Sequence, residues 1–147
     1  LYKLWEDHRL PLSMKLNLYR TAACSTFTHA CESWDFTEEV ARSVNGFNSR
    51  SLHVITKQGF RETATNPKFN LVLEIRKRRL RYLGHVLRMD PDRLVRRTLL
   101  AYVCSQTHGI PAGSLLDDPH CKGRSINTLI DLAADRRSWS RSVDSIL

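Results

Sequence analysis

The chain has 147 residues, 41% of them apolar, and 23 Lys and Arg against 15 Asp and Glu, a formal net charge of +8. That composition supplies one core and a surplus of positive charge, which excludes a disordered chain, and the length is too short for a complete polymerase or multidomain enzyme. No run of eighteen apolar residues exists, which excludes a transmembrane helix, and Leu1-Tyr2-Lys3-Leu4-Trp5 has neither an initiator Met nor a signal-peptide layout. The chain is therefore expected to be a fragment or a decayed copy.

From Leu12 to Trp34 there is no Pro or Gly, and Leu16, Tyr19, Ala23, Phe27, Ala30 and Trp34 recur at spacings of three and four, which predicts a helix. Cys24 and Cys31, seven apart, would lie about 10.5 Å apart on it, beyond the roughly 7 Å limit for a disulfide. Four cysteines that make no disulfide framework, and no glycosylation sequon, fit a reducing intracellular compartment, cytoplasm or nucleus. Thr37 with Glu38 and Glu39 signals a second helix start, continued by Val40, Val44, Phe47 and Val54 or Ile55 with a break expected at Gly46. Residues 58–66 read as a loop ending in an Asn66 cap, with Pro67 opening a third helix that runs to Met89. Asp90-Pro91 stops it, and Asp90 is expected to cap a shorter helix over Arg93–Tyr102. Gly109, Pro111, Gly113, Pro119 and Gly123 mark a long loop or linker, and Ile126, Leu129, Ile130, Ala133, Trp139, Val143 and Ile146 a last helix or helix pair.

The expected architecture is all-α: a small irregular bundle of four to six helices with a long loop at about 105–125. Residues 1–103 form its first part, with the basic helix at 67–89; 104–125 are loop or linker, and 126–147 a C-terminal helical segment.

The charge is concentrated. Residues 74–97 hold nine Arg or Lys against Glu74, Asp90 and Asp92, a net of +6 out of the chain's +8. On a wheel of about 100° per residue from Leu71, Leu71, Val72, Ile75, Leu80, Tyr82, Leu83, Val86, Leu87 and Met89 fall between about 0° and 180°. Lys77, Arg78, Arg81, His85 and Arg88 fall between about 240° and 340°. Arg76 and Arg79 interrupt the apolar arc, with snorkelling or pairing to an acid as the available explanations. A solvated face, calmodulin capture and an anionic membrane surface are the other readings of such a helix; so lopsided a face favours a polyanion.

The run Arg78-Arg79-Leu80-Arg81-Tyr82-Leu83-Gly84-His85-Val86-Leu87-Arg88-Met89, continuing to Asp90-Pro91-Asp92-Arg93-Leu94-Val95-Arg96-Arg97, resembles a block in the C-terminal part of non-LTR (LINE-type) retrotransposon reverse transcriptases. Leu18-Tyr19-Arg20 through Glu32-Ser33-Trp34 is similar to the family's helix after the palm, with Cys31 where Gly is usual. Lys122-Gly123-Arg124 resembles its G-R-P turn, with Ser125 in place of Pro, and Leu132 to Trp139 its closing stretch. The resemblance implies a thumb or post-thumb region that holds an RNA/DNA template–primer duplex beside palm and fingers domains that lie elsewhere.

Catalytic residues are expected to be absent. The Asp117-Asp118 pair follows Leu115-Leu116 in a Pro/Gly-rich loop and lacks the palm strands that hold two metal ions, so it reads as a solvated loop pair. Cys104, His108, His120 and Cys121 have zinc-ligand types in an order that matches no ordinary finger, so no metal or other cofactor is expected. No nucleophile elbow, P-loop or dinucleotide fingerprint occurs, and no small-molecule substrate or membrane partner is implied. His29 and His53 read as surface or core-edge residues, and Trp34, Trp139 and Tyr82 as core. Lys77, Arg78, Arg81, His85, Arg88, Arg93, Arg96 and Arg97 are the candidate nucleic-acid contacts, through phosphates and without base specificity. A decayed pseudogene product or a protein-interaction module without nucleic-acid binding is the alternative.

Overall fold

The structure, a computed structural model, describes residues 2–57, 69–105 and 110–146, with the Tyr2 side chain outside the description. The all-α class holds: among the described residues every regular element is a helix. The chain divides into two compact units, one of Leu1–Ala30 with Glu39–Glu74 and one of Cys31–Glu38 with Ile75–Leu147.

The first unit contains α1 (Tyr2–Glu6), α2 (Leu12–Leu18), a π-helical turn (Tyr19–Cys24), α3 (Ser25–Phe27) and most of α4 (Glu38–Thr56). The predicted helix from Leu12 is thus real but widens at its middle and stops early. Hydroxyls that bond back to the preceding turn compete with the helical ladder there: Thr21 donates to the Asn17 carbonyl at 2.8 Å and Thr28 to that of Cys24 at 2.9 Å. Ala30, at φ +55°, ends the run, and Cys31–Ser33 form a separate 3-10 turn. No break occurs at Gly46, which lies inside α4. Lys57, at φ +58°, follows the end of α4.

Trp5, Tyr19, Leu52 and Ile55 make this unit's core. Buried Asn48 links its pieces, accepting from the Tyr19 hydroxyl at 2.8 Å and donating to the Phe69 carbonyl at 2.6 Å. Lys15, also buried, snorkels to the Trp5 carbonyl at 2.8 Å. All four cysteines are free thiols.

The second unit is built on α5 (Leu71–Leu87, from Ile75 onward), α6 (Leu94–Ser105), a 3-10 turn (Leu115–Asp117), α7 (Ile126–Ala134) and α8 (Arg136–Asp144). Asn70 caps α5 by accepting from the Leu73 amide at 3.0 Å. The predicted Asn66 cap and Pro67 start lie outside the described residues. Asp90 does not cap α6; its side chain accepts from the Asp92 amide at 2.9 Å, forming a turn one step before the helix. The C-terminal segment is a helix pair joined at Asp135, whose carboxylate caps α8 through the Arg137 amide at 2.9 Å. That hydrogen bond holds the Asp135 carboxyl below the usual carboxylate range.

Leu80, Leu83 and Leu87 of α5 pack with Leu116, Cys121, Leu129, Ala133, Trp139 and Val143. Burial lifts the Cys121 thiol to about 12, so it behaves as a small apolar side chain. Trp139 is seated by two features of α5. Its indole N–H donates to the Leu80 carbonyl at 3.0 Å, and its ring fills the space over Gly84, where a Cβ would lie 2.6 Å from Trp139 Cδ1 and 2.7 Å from Cε2. The glycine is a packing residue. Gly84→Ala is expected to destabilise the chain by about 1–3 kcal/mol through overpacking. Gly46→Ala, where a Cβ meets nothing closer than the Arg50 guanidinium at 4.0 Å, is expected to stabilise it by about 0.5–1 kcal/mol. Urea unfolding midpoints of the two variants check both signs.

Candidate nucleic-acid interface

Helix α5 buries Ile75, Arg79, Leu80, Leu83, Gly84, Val86 and Leu87 and exposes Arg81 and His85. Most of the apolar arc read from the sequence is buried, with Tyr82 exposed at its rim, and the two cations that interrupt it have specific partners. Arg79, 5% exposed, donates to the carbonyls of Trp34 and Gly113, the latter at 2.7 Å, and lies over the Phe36 ring at 5.7 Å. Burial lowers its pKa, and two carbonyl dipoles with an aromatic face replace the water removed from it. Gly113, at φ +79°, lies so close to Phe36 and Thr37 that a Cβ would lie 2.9 Å from the Thr37 amide. The Phe36 amide also donates to the Gly113 carbonyl at 2.8 Å, so Arg79 clamps a junction the backbone has already made.

Arg76 pairs in a fork with Asp118, at 2.9 and 3.0 Å, and that partner raises its pKa. The Asp117-Asp118 pair is therefore not the solvated loop pair expected. Asp118 takes Arg76 and the His120 amide, while Asp117 accepts from the Gly113 amide at 2.9 Å and pairs with Lys122 at 3.1 Å. The two carboxylates face different partners and hold the loop's shape.

The candidate cations differ in how far the fold engages them. Lys77 donates to the Asp144 carbonyl at 2.9 Å. Arg81 pairs with the Asp144 carboxylate at 2.6 Å, and both side chains of that pair remain about half exposed. Arg88 donates to the Ala133 carbonyl at 2.9 Å. Arg96, half-buried, donates to the Met89 carbonyl with its Nε buried and unbonded among the described residues, so it serves the turn before α6. Arg93 and Arg97 are exposed, and Arg78 is half-buried.

Arg81, His85 and Arg88 are brought together with Arg136, Trp139 and Ser140 of α8 around a cleft of about 400 Å³. Arg136 is absent from the sequence-derived set. No pattern along α8 singles it out; only the packing of α8 on α5 puts it beside Arg88. Desolvation and the like charge of Arg136 both lower the Arg88 pKa.

Two aromatic assignments change. Tyr82 is 37% exposed and Trp34 only half-buried, and both line an apolar groove of about 510 Å³ with Val95, Leu99 and Tyr102 of α6. Tyr82 sits at the rim of the apolar arc, at about 20° on the wheel, and the centre of the seated arc is Arg79. Trp139 is buried as expected, and His29 and His53 are exposed.

Of the zinc-type residues, Cys104 is exposed at the end of α6, Cys121 is buried in the core, and His108 lies outside the described residues. No group of three potential metal ligands occurs among the described residues. His120 packs edge-on against Trp139 and its Nε2 lies 3.3 Å from the Ser142 hydroxyl. Burial lowers the His120 pKa, as do Arg124 and Arg76, with Asp118 opposing them. The folded state therefore binds this proton more weakly than the unfolded chain. Stability is expected to be full above the unfolded histidine value of about 6.5 and to fall as pH drops through the lower folded value. Urea midpoints between pH 7.5 and 5 should decline for the parent chain and less so for His120→Gln.

No helix among the described residues is long and apolar enough to cross a membrane. Compared with protein families, curated proteins and solved structures, the chain matches none.

Proposed function

We propose that the chain is a non-catalytic helical piece of a retroelement reverse transcriptase, acting inside the cell, that holds the backbone of an RNA/DNA template–primer duplex through its cations. The observation that carries this reading is that exposed Arg81 and His85, with half-buried Arg88, lie opposite the buried side of α5 around one cleft, while Arg93 and Arg97 are exposed in the segment that follows. Cations placed this way neutralise phosphates and release counterions, so they bind tightly at low salt and read no bases. The run from Arg78 to Arg97 that resembles the retrotransposon block is the same run that supplies these cations.

The internal partners set the scale of the effect. A phosphate must compete with Asp144 for Arg81, whereas Arg93 and Arg97 are exposed and Arg88 offers the guanidinium atoms not committed to Ala133. Replacing Arg81, Arg93 and Arg97 together by Ser is expected to weaken RNA–DNA hybrid binding equally across sequences. The log–log salt slope should flatten by about 0.9 for each phosphate that the variant leaves unneutralised. Filter binding at several salt concentrations reads both quantities; an unchanged slope rejects the reading.

One observation favours the protein-interaction alternative. No residue of α6 is fully buried, and Leu94, Val95 and Tyr102 are 71%, 45% and 39% exposed. A chain that fails to bind the hybrid at low salt but loses self-association or partner binding on Val95→Asp would decide for that reading.

A further inference from the structure

We infer that Arg136 of α8 joins Arg81, His85 and Arg88 to form a discrete seat for one phosphate group. The inference rests on the reading that this face meets phosphates, and it adds the seat, its size and a contributing residue on a different helix.

The geometry is two facing stripes. Residues 81, 85 and 88 are four and three apart and share one side of the α5 segment, while 136, 139 and 140 are three and four apart and share one side of the first turn of α8. The cleft between them, about 400 Å³, is within the range of small-ligand sites. Its described lining residues are three arginines, one histidine, Trp139 and Ser140, with no acidic residue among them.

One nearby acid competes for the seat and the other is committed to a helix cap. Asp144 pairs with Arg81, and Asp135 accepts from the Arg137 amide. Arg136 also begins a helix whose first turn holds no acidic residue, where the helix dipole disfavours a cation. Arg136 thus lies near enough to Arg88 for the like charges to repel, with Asp135 beside it as the N-cap. An anion bound between the two guanidiniums removes that repulsion and receives charge-assisted hydrogen bonds from both sides. Trp139, fixed by its bond to Leu80, gives the seat a rigid floor.

The phosphate can be a diester in a nucleic-acid backbone or a free phosphate ion, and two probes separate these sources. The full chain is titrated with inorganic phosphate at constant ionic strength, followed by NMR and by the rise in Tm, and separately with an RNA–DNA hybrid. Arg136→Ala and Arg136→Gln are compared with Arg42→Ala, an exposed cation on α4. Removing Arg136 is expected to leave the Tm of the ligand-free chain unchanged or higher, showing that the fold persists. It should weaken binding of at least one probe about tenfold more than Arg42→Ala does, the effect of one charge-assisted hydrogen bond. A loss with the hybrid alone assigns the seat to a backbone diester, and a loss with inorganic phosphate alone to the free ion. If the Arg136 variants match Arg42→Ala with both probes, the seat is overturned, although tight, salt-dependent hybrid binding would leave the reading of the face intact. If inorganic phosphate saturates the parent chain through Arg136 while the hybrid does not bind, the seat stands and the template–primer reading falls.

Discussion

The seating of Trp139 on α5 is the constraint on which the second unit depends. The indole needs a flat place without a Cβ, which Gly84 supplies, and an acceptor for its N–H, which the Leu80 carbonyl supplies one turn earlier. Both conditions are met at one point along α5, so the register of α8 against it is set. Val143, one turn further along α8, then joins the Leu80, Leu83 and Leu87 core, and Arg136, three residues before the tryptophan, arrives beside Arg88. A packing requirement in the interior thereby determines which cations meet at the surface.

The basic helix performs two kinds of work with the same residue type. Arg76 and Arg79 are structural: one holds Asp118 in a fork, the other bridges two backbone carbonyls and an aromatic ring. They replace what a longer apolar run would do by tying the 31–38 segment and the 110–121 loop to the helix. Burying a guanidinium in this way is costly unless its donors are used, and here carbonyls and a carboxylate use them. Arg81 and His85 are exposed on the other side, where the arginine pairs with Asp144. The net charge of the segment therefore overstates the charge it presents to solvent.

Much of the fold could be read from the chain. Helical periodicity located α4, α5, α6 and the final pair, because apolar residues three and four apart must share a face to be buried. The failures are local and physical. The π-helical turn at Tyr19–Cys24 contains Thr21 and is followed by Ser25, whose hydroxyls both bond back to the ladder, which periodicity does not register. Gly46 reads as a breaker in the sequence but is held helical by Val44, Asn48 and Leu52, all buried on the same helix.

By itself the sequence determined the helical class, the long helices, the concentration of cations between residues 74 and 97 and which side of α5 carries them, since each follows from local periodicity and charge. Only the tertiary structure decided that Arg79 and Arg76 face inward to named partners, that Asp118 is a structural acid, that Tyr82 lies at a groove, and that Arg136 shares a cleft with Arg88. These depend on residues far apart along the chain meeting across packed helices, and helical periodicity carries no information about which faces will meet.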